Sequence, residues 1–92
     1  MNSNYIAIQP VTVWTATGTK SATLFEVRYV NFNGVTAVAD THLWAVDKDG
    51  NPETEVGASL VNATSEQCAN WGTDNVSFYK ELAQNAGLKP VV

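Results

Sequence analysis

Apolar and polar residues alternate along most of this chain, and the spacing becomes helical only near its end. Residues 5–8, Tyr-Ile-Ala-Ile, form a short apolar run that stops at Pro10, as an edge strand does. Residues 11–16 set Val11 and Val13 on one face and Thr12 and Trp14 on the other. Thr17-Gly18-Thr19-Lys20 reads as a turn, and residues 22–32 as the longest strand. In it Phe25, Val27 and Tyr29 share one face, while Leu24, Glu26, Arg28 and Val30 share the other, partly solvated one. Asn33-Gly34 suits the positive φ of a type I′ hairpin turn. Residues 35–46 then run back, with Val38, Asp40, His42, Trp44 and Val46 on one face. Ala37, Ala39, Leu43 and Ala45 form the other, where small side chains let a second layer approach closely. Asp47-Lys48-Asp49-Gly50-Asn51-Pro52 is a second turn, and residues 54–61 close the sheet with Val56, Ala58 and Leu60 turned inward.

The pattern changes at Thr64-Ser65-Glu66-Gln67, a capping box that starts a single helical turn reaching Asn70. Trp71 follows as a plug for the core. Thr73 or Asp74 then caps a final helix over residues 75–86, with Val76, Tyr79, Leu82, Ala83 and Ala86 along one stripe. Gly87 fits the left-handed C′ position, with Leu88 as the apolar residue beyond it. The expectation is a mainly β fold forming a single domain over residues 1–92. It is a small β-sandwich or barrel-like body of five to six strands, with a short helical turn and one C-terminal helix.

Composition narrows the setting. A chain of 92 residues buries only about 60–65% of its unfolded surface, so its core is small and gains from association. Apolar residues at 45% are enough for a globular fold and argue against disorder, while charged residues at 15% fall well below the usual ~25%. A surface poor in charge and rich in Thr, Asn and aromatics resembles a protein interface. The formal net charge is −4, and the five basic residues (Lys20, Arg28, Lys48, Lys80, Lys89) are scattered. That argues against nucleic acid and against an anionic membrane surface as partners. Cys68 is the only cysteine, so no internal disulfide forms, which fits a reducing compartment. Met1-Asn2-Ser3-Asn4 has neither the basic region nor the apolar run of a signal peptide, and no segment has the length of a membrane span.

Few residues offer chemistry. Asp40 and His42 point to one side of a strand and could act as an oriented base, but no nucleophile or third group can be tied to them. One His and one Cys cannot make a structural zinc site. Asp47-Lys48-Asp49-Gly50-Asn51 resembles a calcium loop, yet Gly50 is misplaced for an EF-hand and Lys48 opposes a cation. A hairpin turn is the better reading. Trp14, Trp44 and Trp71 could build a sugar-stacking platform, but three Trp in a small domain more often anchor a core or an interface. Cys68 reads as a small buried apolar residue. No catalytic residue, metal or cofactor is expected. The contact candidates are Tyr5, Ile6 and Ile8 on an edge strand, where strand addition could pair subunits, with Trp14 and Trp44.

The order of three motifs carries a resemblance. Asp47-Lys48-Asp49-Gly50, Trp71-Gly72-Thr73-Asp74 and Ala86-Gly87-Leu88 resemble the D-x-D-G hairpin, Trp-x-Thr-Asp segment and Gly-Leu helix end of small accessory proteins of tailed bacteriophages. The match covers the second half of the chain, and the first half by strand pattern only. The resemblance implies a non-enzymatic virion component, made in the bacterial host cytoplasm and incorporated into the particle. Its partners would be major capsid or tail subunits and further copies of itself. Size favours a capsid decoration or cement role over a tail, fibre or baseplate accessory. The alternative of a different class is a carbohydrate-binding module with Trp14 or Trp44 exposed beside Asp40 or His42.

Overall fold

The computed structural model describes residues 4–71 and 75–91. Its strands are β1 (Tyr5–Thr15), β2 (Gly18–Phe32), β3 (Ala37–Val46) and β4 (Pro52–Ala63), followed by α1 (Ser65–Ala69) and α2 (Asn75–Asn85). The fold is mainly β. The strands form one antiparallel meander in the order β1-β2-β3-β4. The sheet curls enough to bring β1 and β4, its opposite edges, within 8 Å between Cα atoms. Among the described residues it is a four-stranded open sheet with helices on one face, and the five to six strands read from the sequence are not found.

The count differs because Pro10 does not end a strand. Residues 5–8 and 11–16 belong to one strand, whose register with β2 shifts between Ala7 and Val11. A bulge on an edge strand absorbs the missing N–H of proline without interrupting the ladder further on. On the outer side of that bulge the chain supplies its own cover. Gln9 N–H donates to the Lys89 carbonyl at 2.8 Å, and Val91 N–H to the Ala7 carbonyl at 2.9 Å.

Asparagine and aspartate side chains build the turns. The β2–β3 connection is a four-residue loop rather than a two-residue type I′ turn. Among the described residues only glycines have positive φ, so Asn33 stays at negative φ. Its Oδ1 instead accepts from the N–H groups of Val35 and Thr36, at 2.9 and 2.8 Å. Asp47 Oδ1 does the same for Asp49 and Asn51, at 2.9 and 3.0 Å. That carboxylate is occupied as a turn cap, which fits a hairpin rather than a calcium loop.

The core lies between the sheet and α2. Ile6, Ile8, Phe25, Val27, Ala37, Ala39, Val61 and Ala63 face Phe78, Tyr79, Leu82 and Ala83, with Cys68 of α1 at the margin. The inward residues of β4 are therefore Val61 and Ala63, not Val56, Ala58 and Leu60. Val56 sits at a register shift opposite Leu43 and Trp44, and Leu60 is 72% exposed. Alternation defines two faces, but the helix settles on the one whose small residues let its backbone come close.

Both helices are held at their ends. Thr64 and Gln67 form the reciprocal capping box of α1. The cap read at Thr73 or Asp74 lies outside the described residues. At the other end of α2, Gly87 (φ 82°) takes the C′ position, with Leu88 N–H on the Ala83 carbonyl at 2.9 Å and Gly87 N–H on Gln84 at 3.0 Å. This is a Schellman motif, and Leu88 packs against the core as its apolar partner. Trp71 stacks on Phe78, with ring centroids 4.1 Å apart and planes 3° from parallel. Asn85 Nδ2 donates to the Asn62 carbonyl at 2.9 Å and to Gln67 Oε1 at 2.7 Å, tying α2 to β4 and α1.

Leu82 is fully buried in this interface. Leu82→Ala should destabilise the fold by about 2–5 kcal/mol, a large share of what a small domain has. Urea unfolding should show a lower midpoint at unchanged slope. Thr64→Ala should cost only about 1 kcal/mol in the same assay, the worth of one cap.

Candidate functional site

Among the described residues no helix covers the sheet face turned away from α2, and Glu26, Asp40, His42, Trp44 and Glu55 meet there. Cross-strand register determines which residues meet there. Leu24 pairs with Trp44, which pairs with Glu55; Glu26 pairs with His42, which pairs with Ala58. In the next row Tyr29, Asp40 and Leu60 lie side by side across β2, β3 and β4. Residues directly opposite one another on neighbouring strands sit about 4.5–5.5 Å apart at Cβ.

A register shift between Val27 and Tyr29 shapes this face. Strict alternation puts Tyr29 with Phe25 and Val27 in the core. The extra residue, Arg28, reverses the parity, so Tyr29 emerges on the open face 64% exposed and Val30 packs against the core instead. Arg28 is left to reach along the surface. Its Nη2 donates to Glu26 Oε1 at 2.9 Å and to Glu55 Oε1 at 3.3 Å.

Glu26 is only 7% exposed despite lying on the uncovered face. It is held by Arg28 and by the Trp44 indole, whose Nε1–H donates to Glu26 Oε1 at 2.9 Å. Burial pushes its carboxyl pKa up. The hydrogen bonds from Arg28 and Trp44, with the electrostatic effects of Arg28 and His42, outweigh that and hold it below the ordinary 4.5. The hydrogen bond and charge of Glu26 raise Arg28 in return.

His42 is the least settled group of the site. It is 9% exposed, and its two ring nitrogens face different carboxylates. Nε2 lies 3.1 Å from Asp40 Oδ1 and Nδ1 lies 2.6 Å from Glu55 Oε1. Neither contact has hydrogen-bond geometry, so both nitrogens are buried without a directional partner. Both carboxylates are close to the ring, and the misalignment keeps the contacts from acting as a rigid relay.

The chemistry open to this arrangement is limited. Thr41 hydrogen-bonds to Ser59 on the opposite face, and Cys68 is buried beside the helices, so neither serves His42 as a nucleophile. Among the described residues no group of three His, Cys, Asp or Glu is placed to hold a metal ion. Asp40 and Glu55 sit against opposite nitrogens of one imidazole, so a single ion cannot draw on all three. Among the described residues no helix is long and apolar enough to cross a membrane.

The contact candidates read from the sequence are dispersed. Ile6 and Ile8 are core residues, 3% and 2% exposed. The outer edge beside them is already taken by residues 89–91, so β1 does not offer that stretch for strand addition. Tyr5 is half-buried opposite Glu26. Trp14 is exposed near the β1–β2 turn, opposite Thr19, while Trp44 is bonded to Glu26 and Trp71 stacks on Phe78. The three Trp therefore form no common platform. Asp40, His42 and Trp44 do share a face, as alternation predicts. Tyr29 and Glu55 were missed as partners of that face because nothing in the sequence announces the register shifts that place them, and Leu60 because its own face of β4 was read as inward.

No family model matches this chain, and neither curated proteins nor solved structures yield a similar protein.

The lowered carboxyl of Glu26 has a pH consequence. A carboxylate whose folded pKa is depressed contributes stability above its unfolded value, and that contribution is lost as pH falls through the folded value. Glu26→Gln should therefore unfold more easily than the parent above about pH 4.5. The two stability curves, measured by urea unfolding from about pH 6 to about pH 2.5, should converge at the acid end.

Proposed function

We propose that this chain is a non-enzymatic binding protein that works by docking the open face of its sheet onto another protein. The observation that carries this reading is the uncovered face itself. Tyr29, Val38 and Leu60 are exposed there together, beside half-exposed Asp40 and Glu55. Apolar groups rimmed by paired charges are the composition of a contact surface. A buried Glu26 clamped by Arg28 and Trp44 gives that surface a rigid base.

The setting we propose is a tailed-phage particle, with the chain as a capsid decoration or cement protein contacting major capsid subunits. The support is the resemblance carried by Asp47-Lys48-Asp49-Gly50, Trp71-Gly72-Thr73-Asp74 and Ala86-Gly87-Leu88, together with a low charge content of 15%. A tail or baseplate position uses the same face and the same contacts.

The test is mass spectrometry of density-purified particles from host cells that express the chain. The chain should be present at a fixed ratio to the major capsid protein. Leu60→Lys, a change at an exposed side chain that leaves the core intact, should reduce its incorporation at least about tenfold, the effect of losing a contact worth about 1.4 kcal/mol. Absence of the parent chain from purified particles rules out the virion reading.

A further inference from the structure

The row Tyr29–Asp40–Leu60 has a composition that selects one kind of side chain. Asp40 stands on the central strand of the three, with Tyr29 on one flank and Leu60 on the other. Its carboxylate is 42% exposed, while Tyr29 and Leu60 are 64% and 72% exposed. The His42 contact at 3.1 Å is misaligned for a hydrogen bond, so the carboxylate keeps its acceptor capacity. We infer that this row receives an arginine side chain of a partner protein. The inference rests on the reading of the open face as a protein-binding surface and adds the chemistry of the contact.

Charge sets the sign of the ligand. Glu26, Asp40 and Glu55 share this face with Arg28 and the His42 imidazole, so three carboxylates outnumber the two basic groups, and Arg28 is already engaged by Glu26 and Glu55. Asp40 is the carboxylate of the three that Arg28 does not contact through a salt bridge. An anionic group meets repulsion here, and a cation completes the balance. His42 adds an independent sign of an incomplete site. It is 9% exposed, and its Nε2 is buried against Asp40 without an aligned partner. A cation that draws the Asp40 carboxylate outward competes with no established hydrogen bond.

Shape distinguishes arginine from other cations. A guanidinium is planar, offers two parallel N–H donors to one carboxylate, and stacks on an aromatic face with little loss of hydration. Laid across the row, its fork meets Asp40, its plane meets the Tyr29 ring and its methylene stem covers Leu60. A lysine ammonium uses the carboxylate alone. A metal ion finds too few oxygens, since Glu55 lies on the far side of the imidazole ring.

The test is an amide-resolved NMR titration of the full chain. The probes are acetyl-arginine amide, acetyl-lysine amide as a point charge, acetyl-citrulline amide as the neutral isostere, and maltose. Acetyl-arginine amide should shift the amides of Tyr29, Asp40, His42 and Leu60. It should bind about two- to fivefold tighter than acetyl-lysine amide, the size of an exposed cation–π contact. Citrulline and maltose should leave those amides in place. Asp40→Asn should reduce the arginine response to the citrulline level. Tyr29→Leu, which keeps an apolar flank, should erase the preference for arginine over lysine. The inference is overturned by equal responses to arginine and lysine, or by shifts centred on Asp47, Asp49 and Glu53. Movement of the same amides by maltose, or silence toward every probe, also overturns it. A chain that enters particles but ignores the arginine probe loses only this inference. A chain that binds the probe but is absent from particles keeps the site and loses the virion setting.

Discussion

The close approach of α2 to the sheet is the contact on which the rest of the molecule depends. Leu82 and Ala83 have no exposed surface, and they meet a sheet face built from Ala37, Ala39, Val61 and Ala63. The α2 backbone comes nearest to β4, where Val61 and Ala63 face it, and Phe25, Phe78, Ile6 and Ile8 fill the space around them. Each fully buried large apolar side chain there is worth about 1.5–3 kcal/mol. With one layer of helix and one of sheet, the domain has no second core to fall back on.

That choice of face determines what remains outside. The face without a helix holds Glu26, Arg28, Asp40, His42, Trp44 and Glu55 with their contacts to one another, and these contacts leave Glu26 and His42 buried there. Most of these groups are satisfied within the face itself. His42 is the exception, held between two carboxylates without directional bonds. A buried polar group in that condition is one that a partner can reorganise at low cost, because no good hydrogen bond must be broken first.

Register shifts are the second organising device. The shift at Arg28 moves Tyr29 outward and Val30 inward, and the shift around Val56 adjusts β4 against Leu43 and Trp44. Without the first, Tyr29 lies under the helix and Asp40 has no aromatic neighbour. The bulge around Pro10 keeps β1 continuous and brings Ala7 and Gln9 into reach of residues 89 and 91. The C-terminal segment thereby closes an edge that would otherwise be available to other strands.

Local chemistry was legible in the residues alone. The capping box at Thr64 and Gln67, the helix stop at Gly87-Leu88, the turn at Asp47–Asn51 and the buried Cys68 each follow from side chains acting within a few positions. The shared face of Asp40, His42 and Trp44 was legible too, because a bulge-free stretch of strand keeps its period of two. The strand count, the inward face of β4 and the position of Tyr29 were not. Each depends on a register shift or on which of two similarly apolar faces the helix covers, and such choices are made by contacts between residues far apart in the chain. Sequence by itself determined the mainly β class, the polar turns and the ends of the helices at Thr64 and Gly87, since these rest on local backbone and side-chain preferences. Only tertiary packing decided which face stayed free of a helix and which side chains met on it, since burying α2 against the alanine-rich side left the other face to bury Glu26 and His42 among its own neighbours and to expose Tyr29 and Leu60.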